Sequence, residues 1–455
     1  MQSTAFSMSP ALEPSPRSPL PDLAKMLEHI DEPWRFIDKP HLAQLVNWSS
    51  TRHDPIHRWI RYREAYSADL IEALQLGERI LDPFCGCGSM LVGSALRGHA
   101  ATGIDINPLA AFTAKVKTRP LTQSQLEEVR RFCAALPHII PSDPGPWFPE
   151  LSIAHKVFEP AILKTLLRIR FAIEHSKLEQ PSTDFLKLCW IAILESVGSY
   201  FKEGNGIKYR NIQRRPGKYV RRPEGSWQRQ RFGEDQEAFV FKAFGSHLRT
   251  MIADCALWHN GWGEAEVIEG NALDLAALTN GEYDSIVFSP PYANRFDYFE
   301  SMKVELWFGG FVESVSDIRS LRKASLRSHL SADMARPKTE FEPLEMLISQ
   351  MDRDSSSWRM GVPELLRGYF SDIVEVLRQC RGRLRNGSCY VVVGNSAFGG
   401  VVIPSDTLTA MAGKLAGFDR AEIWVARHLT VSPQQRSRLS GYERYMRESV
   451  VVLKP

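Results

Sequence analysis

No apolar run in this chain approaches the about 18 residues that a membrane-spanning helix needs. Nor does the N-terminal stretch carry the charged-then-apolar pattern of a secretory signal. Seven cysteines (Cys85, Cys87, Cys133, Cys189, Cys255, Cys380 and Cys389) form no Cys-x-x-Cys pair, and no histidines cluster with them at zinc spacing. That pattern speaks against a structural zinc site and against a disulfide framework. An odd cysteine count without a framework suits a reducing compartment, so the expected location is cytoplasmic, with no membrane and no metal. Charge is also nearly absent as a signal. Lys and Arg exceed Asp and Glu by 56 to 53, giving +3 and a pI near 8.4, which alone does not indicate a nucleic-acid partner. No internal repeat and no nuclease-like motif is evident.

At 455 residues the chain is long for one domain. Residues 1–33 are rich in Pro and Ser and read as a mobile tail. A lead-in with His57, Tyr62 and Ser67 follows, then a helix over 68–76. The apolar pair Ile80-Leu81 runs into Asp82-Pro83-Phe84-Cys85-Gly86-Cys87-Gly88-Ser89, and Met90–Leu96 reads as a helix. Strand, glycine turn, helix is the ligand-binding corner of an open α/β sheet. Gly86 and Gly88 allow a tight turn and close approach to a bound molecule. A second strand, Ala101–Ile104, ends in Asp105, an acidic group where nucleotide-type sites take ribose hydroxyls. The dinucleotide fingerprint G-x-G-x-x-G is missing, because Leu91 stands where its third glycine belongs.

A third strand, Glu266–Ile268, leads to Asn271 and Ala272. A fourth, Tyr283–Phe288, is stopped by Ser289-Pro290-Pro291-Tyr292, since two prolines cannot continue a central strand. The result is a stiff turn offering a hydroxyl, unclaimed carbonyls and an aromatic ring, parts suited to holding a flat amino-bearing ring.

The glycine loop resembles the S-adenosylmethionine loop of class I methyltransferases, in the D-P-F-x-G-x-G form of amino-methylating enzymes. Ser-Pro-Pro-Tyr resembles the catalytic motif of the same enzymes. This resemblance to S-adenosylmethionine-dependent DNA amino-methyltransferases covers about 55–117 and 264–305 by motif, and 365–455 by strand pattern. It implies a Rossmann-like mixed seven-stranded sheet, S-adenosyl-L-methionine as cofactor, and double-stranded DNA as partner with the target base flipped out. With no nuclease-like motif on this chain, any coupled DNA cleavage is expected to need a separate restriction endonuclease. Asp82, Phe84, Gly86 and Gly88 are then expected to seat the methionine portion, Asp105 the ribose, and Asn271 and Ala272 the adenine. His57, Tyr62 and Ser67 are expected to close over the methionine end. Ser289 and Pro290 are expected to hold the amino group, with Pro291 stiffening the turn and Tyr292 stacking on the ring. Serine at the first motif position resembles cytosine-N4 enzymes, whereas Asp or Asn is commoner in adenine-N6 enzymes. Adenine N6, an RNA guanine-N2 activity and a catalytically silent nucleic-acid-binding protein stay open beside cytosine N4.

The sheet rhythm breaks between 119 and 262, where helical periods appear at 161–173, 185–200 and 237–259. We read 34–118 and 263–455 as two parts of one methyltransferase domain and 119–262 as a mostly helical, target-reading insertion. Its basic stretch includes Lys208, Arg210, Arg214, Arg215, Lys218, Arg221 and Arg222, interleaved with Tyr209, Tyr219 and Trp227. Such a stretch suits phosphate neutralisation and base stacking, and a single flexible loop is expected there. A smaller basic cluster (Arg319, Arg322, Lys323, Arg327 and His329) lies in a polar segment at 313–360.

Overall fold

The computed structural model describes residues 21–47, 52–62, 66–141, 153–203, 206–215, 218–221, 226–258, 261–430, 436 and 438–455. Its centre is one eight-stranded sheet. In chain order the strands are β1 (Arg35–Asp38), β2 (Arg79–Asp82), β3 (Ala100–Asp105), β4 (Ala265–Glu269), β5 (Tyr283–Phe288), β6 (Leu384–Gly394), β7 (Arg420–His428) and β8 (Arg447–Lys454). Their spatial order is β1-β7-β8-β6-β5-β2-β3-β4. Strands β4, β3, β2, β5 and β6 run parallel, while β8 is antiparallel to both of its neighbours, β6 and β7. The parallel centre is covered on both faces. Ile80, Leu81, Ile286, Val287, Phe288, Val391 and Val392 are all fully buried, which is why these strands read as unbroken apolar runs.

From β2 the chain works outward through β3 to β4, then returns to β5 on the other side of β2. The order therefore reverses between β2 and β5, and ligands bind outside the carboxyl ends of strands at such a switch point. The glycine loop leaves β2 and the Ser289–Tyr292 turn leaves β5. Topology thus places side by side two motifs that lie about 200 residues apart in sequence.

The seven-stranded expectation falls one strand short. The eighth, β1, comes from the lead-in and pairs in parallel with β7, covering what would otherwise be a sheet edge. Four residues are too few to show alternation in sequence. The expected mobile tail also ends earlier than 33. Pro21–Asp31 is a helix whose Leu23, Leu27 and Ile30, spaced along one face, are buried in the main core. The proline count upstream concealed that spacing.

The insertion carries helices Gln123–Ile139, Pro160–Glu174, Gln180–Val197 and Gln236–Asp254. They enclose a core of their own around Trp190, Phe185 and Phe244, which also takes in Val92, Leu109 and Val116 from the helices after β2 and β3. The basic stretch is not one loop. Tyr200–Glu203 pairs with Gly206–Tyr209, and Ile212–Arg215 with Lys218–Arg221, as two short antiparallel hairpins. Charges at both parities hid the alternation. The smaller basic cluster is largely internal. Arg327, 2% exposed, bonds both carboxylate oxygens of Asp372, Arg322 pairs with Asp297, and His329 is buried.

Candidate active site

Asp82 ends β2 fully buried. One carboxylate oxygen accepts from the Tyr66 hydroxyl at 2.7 Å and the other from the Phe84 amide at 3.0 Å. Burial pushes its pKa up to about 7. The side chain thus stands behind the loop as a brace, and it does not line the cleft in front. Gly86 (φ +51°) and Gly88 (φ +81°) take left-handed conformations. Space is also tight at both positions. A Cβ on Gly86 would come 3.1 Å from the Tyr62 ring, and one on Gly88 would come 3.0 Å from the Ala114 Cβ. The Cys85 amide donates to the Ile104 carbonyl at 2.9 Å, tying the loop to β3.

Asp105 ends β3 and closes the same tie. Its carboxylate accepts from the Gly86 amide at 2.9 Å and from the Asn107 amide at 2.8 Å, while burial pushes its pKa up to about 6. It lines the cleft beside Phe84, Gly86, Asn107, Asn271 and Ala272. Asn271 contributes chiefly through its backbone position. Its side chain caps the turn by accepting from Leu273 and donates to the Ala324 carbonyl at 2.8 Å. That bond brings up a wall that no motif announced: Ser325, Leu326, Ser328 and His329, with Tyr298 and Phe299. The only sequence hint was polarity in the 313–360 segment.

Ser289 and Pro291 line this cleft from β5, whereas Pro290 is buried behind the lip. Tyr292 lies to one side, its ring against Gly394, where a Cβ would sit 2.9 Å away. The Ser289 side chain hydrogen-bonds the Tyr292 hydroxyl, which donates to Glu448 on β8 at 3.1 Å. Glu448 is held in turn by Arg427 on β7 at 2.5 Å. Burial and the adjacent carboxylate keep the Tyr292 phenol protonated. The reversed strand β8 therefore anchors the catalytic-type turn.

The cleft gathers Tyr62, Phe84, Gly86, Asp105, Asn271, Ala272, Ser289 and Pro291. Ser67 does not reach it, because its hydroxyl accepts from the Asp69 amide at 3.1 Å at the start of the helix Leu70–Ala73. His57 lines a neighbouring cavity. About 70 Å³ of the cleft is open. Glycines without room for a Cβ, a carboxylate at a strand end and the Phe84 ring fit an adenosyl cofactor. Among the described residues no cluster of His, Cys, Asp or Glu suits a metal, and no helix is long and apolar enough to cross a membrane. On the hairpins, Lys208 is exposed and pairs with Glu203 at 2.8 Å, while the Arg210 guanidinium lies 4.9 Å from the Phe201 ring centre. Arg214, Arg215, Lys218 and Arg221 belong to the second hairpin, though their side chains are not among those described, and Arg222 lies outside the described residues.

Strand order, the reversed β8 and a cleft at the switch point define an α/β class I methyltransferase fold. No family model matches the chain. It is 26% identical over 433 residues to the type II methyltransferase M.AvaI of a Nostoc species, covering 86% of each chain. It is 24% identical over 449 residues to the type II methyltransferase M.BsoBI of Geobacillus stearothermophilus, covering 90% of this chain and 87% of that one. A solved phosphoethanolamine N-methyltransferase of Haemonchus contortus aligns at 10% identity over 95% of this chain and 96% of that one, with a TM-score of 0.16, too low to bear on the argument. Similarity across most of both chains to two methyltransferases supports methyl transfer as the class of activity.

Proposed function

We propose that this protein transfers a methyl group from S-adenosyl-L-methionine to the exocyclic amino group of a flipped base in double-stranded DNA, and that the base is cytosine, methylated at N4. The observation that carries the reading is the shared cleft. Ser289 of the Ser-Pro-Pro-Tyr turn and the Gly86–Asp105 cofactor corner line one space at the switch point. The relatives being type II methyltransferases favours a modification enzyme whose partner nuclease is a separate protein. Serine at the first motif position favours cytosine.

The cofactor supplies an electrophilic methyl on a sulfonium. The protein supplies position and polarity. An amino nitrogen conjugated with its ring is a poor nucleophile, so the lone pair must be turned out of conjugation and aimed. Ser289 donates its own hydrogen toward the Tyr292 oxygen, which leaves the Ser289 lone pairs to accept from the amino group. The Pro290 carbonyl accepts the second amino hydrogen. Tyr292, pinned through its hydroxyl by Glu448, holds the Ser289 hydroxyl in place from beside the cleft. Asp105 holds Gly86 in its left-handed turn while presenting remaining lone pairs to ribose hydroxyls. The hairpins with Lys208, Arg210, Arg214, Arg215, Lys218 and Arg221 neutralise phosphates. Incubation with methyl-tritiated S-adenosylmethionine and separate DNA and tRNA pools tests the reading. Label in DNA is expected; label in tRNA alone contradicts it, and no label anywhere favours a silent binding protein.

A further inference from the structure

Beside the cofactor cleft, and sharing Tyr62 with it, lies a second cavity of about 320 Å³. Its lining includes Arg52, Arg58, Arg61, His57 and Lys117, with no carboxylate. Two of these cations are answered from outside the cavity: Arg58 by Asp254 at 2.5 Å and Arg61 by Glu195 at 3.3 Å. Lys117 is not. It is 2% exposed, and among the described residues its ammonium has neither an ion pair nor a hydrogen bond. Its neighbour Cys87 supplies no charge, since burial pushes that thiol up to about 12. The helix carbonyls around Lys117, in the last turn of Pro108–Thr118, offer only a fraction of a negative charge. His57 Nδ1 is buried without a hydrogen-bond partner, and burial beside Lys117 pushes its imidazole pKa down to about 3, so the ring is neutral. Burial lowers the Lys117 pKa as well, and an anion entering the cavity would favour the charged ammonium.

We propose that this cavity is a phosphate subsite that seats one backbone phosphate of the target DNA strand on Lys117. The inference rests on the DNA reading above. Its direction comes from where the cavity lies. Arg52 and Arg58 are exposed at the mouth, and Glu195, which pairs with Arg61, also accepts from the Lys202 amide on the first basic hairpin at 3.1 Å. Exposed Arg52 and Arg58 thus mark the mouth of a cavity whose floor, Lys117, lies beside the cofactor cleft across the shared Tyr62. A strand held there keeps its flipped nucleotide close to Ser289.

The test uses the full chain, Lys117→Met, and a duplex that the wild type methylates. DNA affinity is expected to fall by about tenfold or more. The slope of log affinity against log salt should drop by about 0.9, one phosphate's worth, with cofactor affinity by calorimetry unchanged. Single methylphosphonate linkages on either side of the target base provide a second measurement. The wild type should lose affinity at one linkage, Arg52→Gln should lose part of that sensitivity, and Lys117→Met should lose all of it. Loss confined to cofactor affinity would instead assign the cavity to the cofactor's own carboxylate. Thermal stabilisation by inorganic phosphate without any methylphosphonate sensitivity would assign a free ion. Either result overturns the proposal. Failure of the wild type to methylate any DNA would remove the functional reading itself, a result separable from both.

Discussion

The sheet half of the molecule and its inserted half handle charge in opposite ways. Around the cleft the charges are few, buried and already engaged: Asp82 with Tyr66, Asp105 with two backbone amides, Glu448 with Tyr292 and Arg427. In the insertion they are dense along the sequence of two short hairpins, where the described Lys208 is exposed and paired with Glu203. Buried, bonded charge fixes geometry, which a methyl transfer needs; surface charge gives attraction without fixed geometry, which a strand of phosphates needs. Substitutions in the two halves should therefore fail differently.

The largest effect is expected at Ser289→Ala. Turnover should fall by about a hundredfold or more, as when one positioned polar group is lost from a reacting centre, with cofactor affinity unchanged by calorimetry. Equal loss of both would make Ser289 structural. Asp105→Ala should show the reverse signature, weakening cofactor binding by roughly tenfold or more because the Gly86 amide loses its acceptor. Unchanged affinity would remove Asp105 from the cofactor site. Lys208→Glu combined with Arg210→Glu should weaken DNA binding several-fold and flatten its salt dependence by about 0.9 per lost phosphate contact, leaving cofactor affinity alone. An unchanged slope would erase the contrast between the halves.

The last prediction concerns stability rather than activity. Asp82 has a folded-state pKa raised to about 7 from a reference value of 3.8, so the folded chain binds the extra proton between those values. Its contribution is complete below about pH 4 and is lost as pH rises through about 7, at up to about 1.4 kcal/mol per pH unit. Asp82→Asn should reduce that slope in denaturant titrations across the window, leaving the share contributed by Asp105, whose pKa burial raises to about 6. A slope identical to wild type would mean that Asp82 is not the group titrating.

Much of the site was legible because its chemistry depends on backbone shape. Glycines at 86 and 88, an acid at a strand end and a double proline each leave a local mark in sequence. The fold sets both motifs beside each other at the switch point between β2 and β5. Partners contributed across long separations left no mark. Asn271 lines the cleft where adenine is expected, but nothing in sequence shows its amide also holding Ala324, and Glu448 lies 156 residues from the Tyr292 it anchors. The wall from Ser325 to His329 has no motif because it acts through shape alone. Buried Arg327 reads as surface charge until Asp372, 45 residues away, is placed against it. Helix Pro21–Asp31 was obscured by composition although its Leu23, Leu27 and Ile30 spacing was present.

Mass spectrometry of nucleosides from DNA methylated by the purified protein addresses the central claim most directly. The account predicts N4-methylcytosine. N6-methyladenine, or DNA left unmodified beside an active control enzyme, would contradict it.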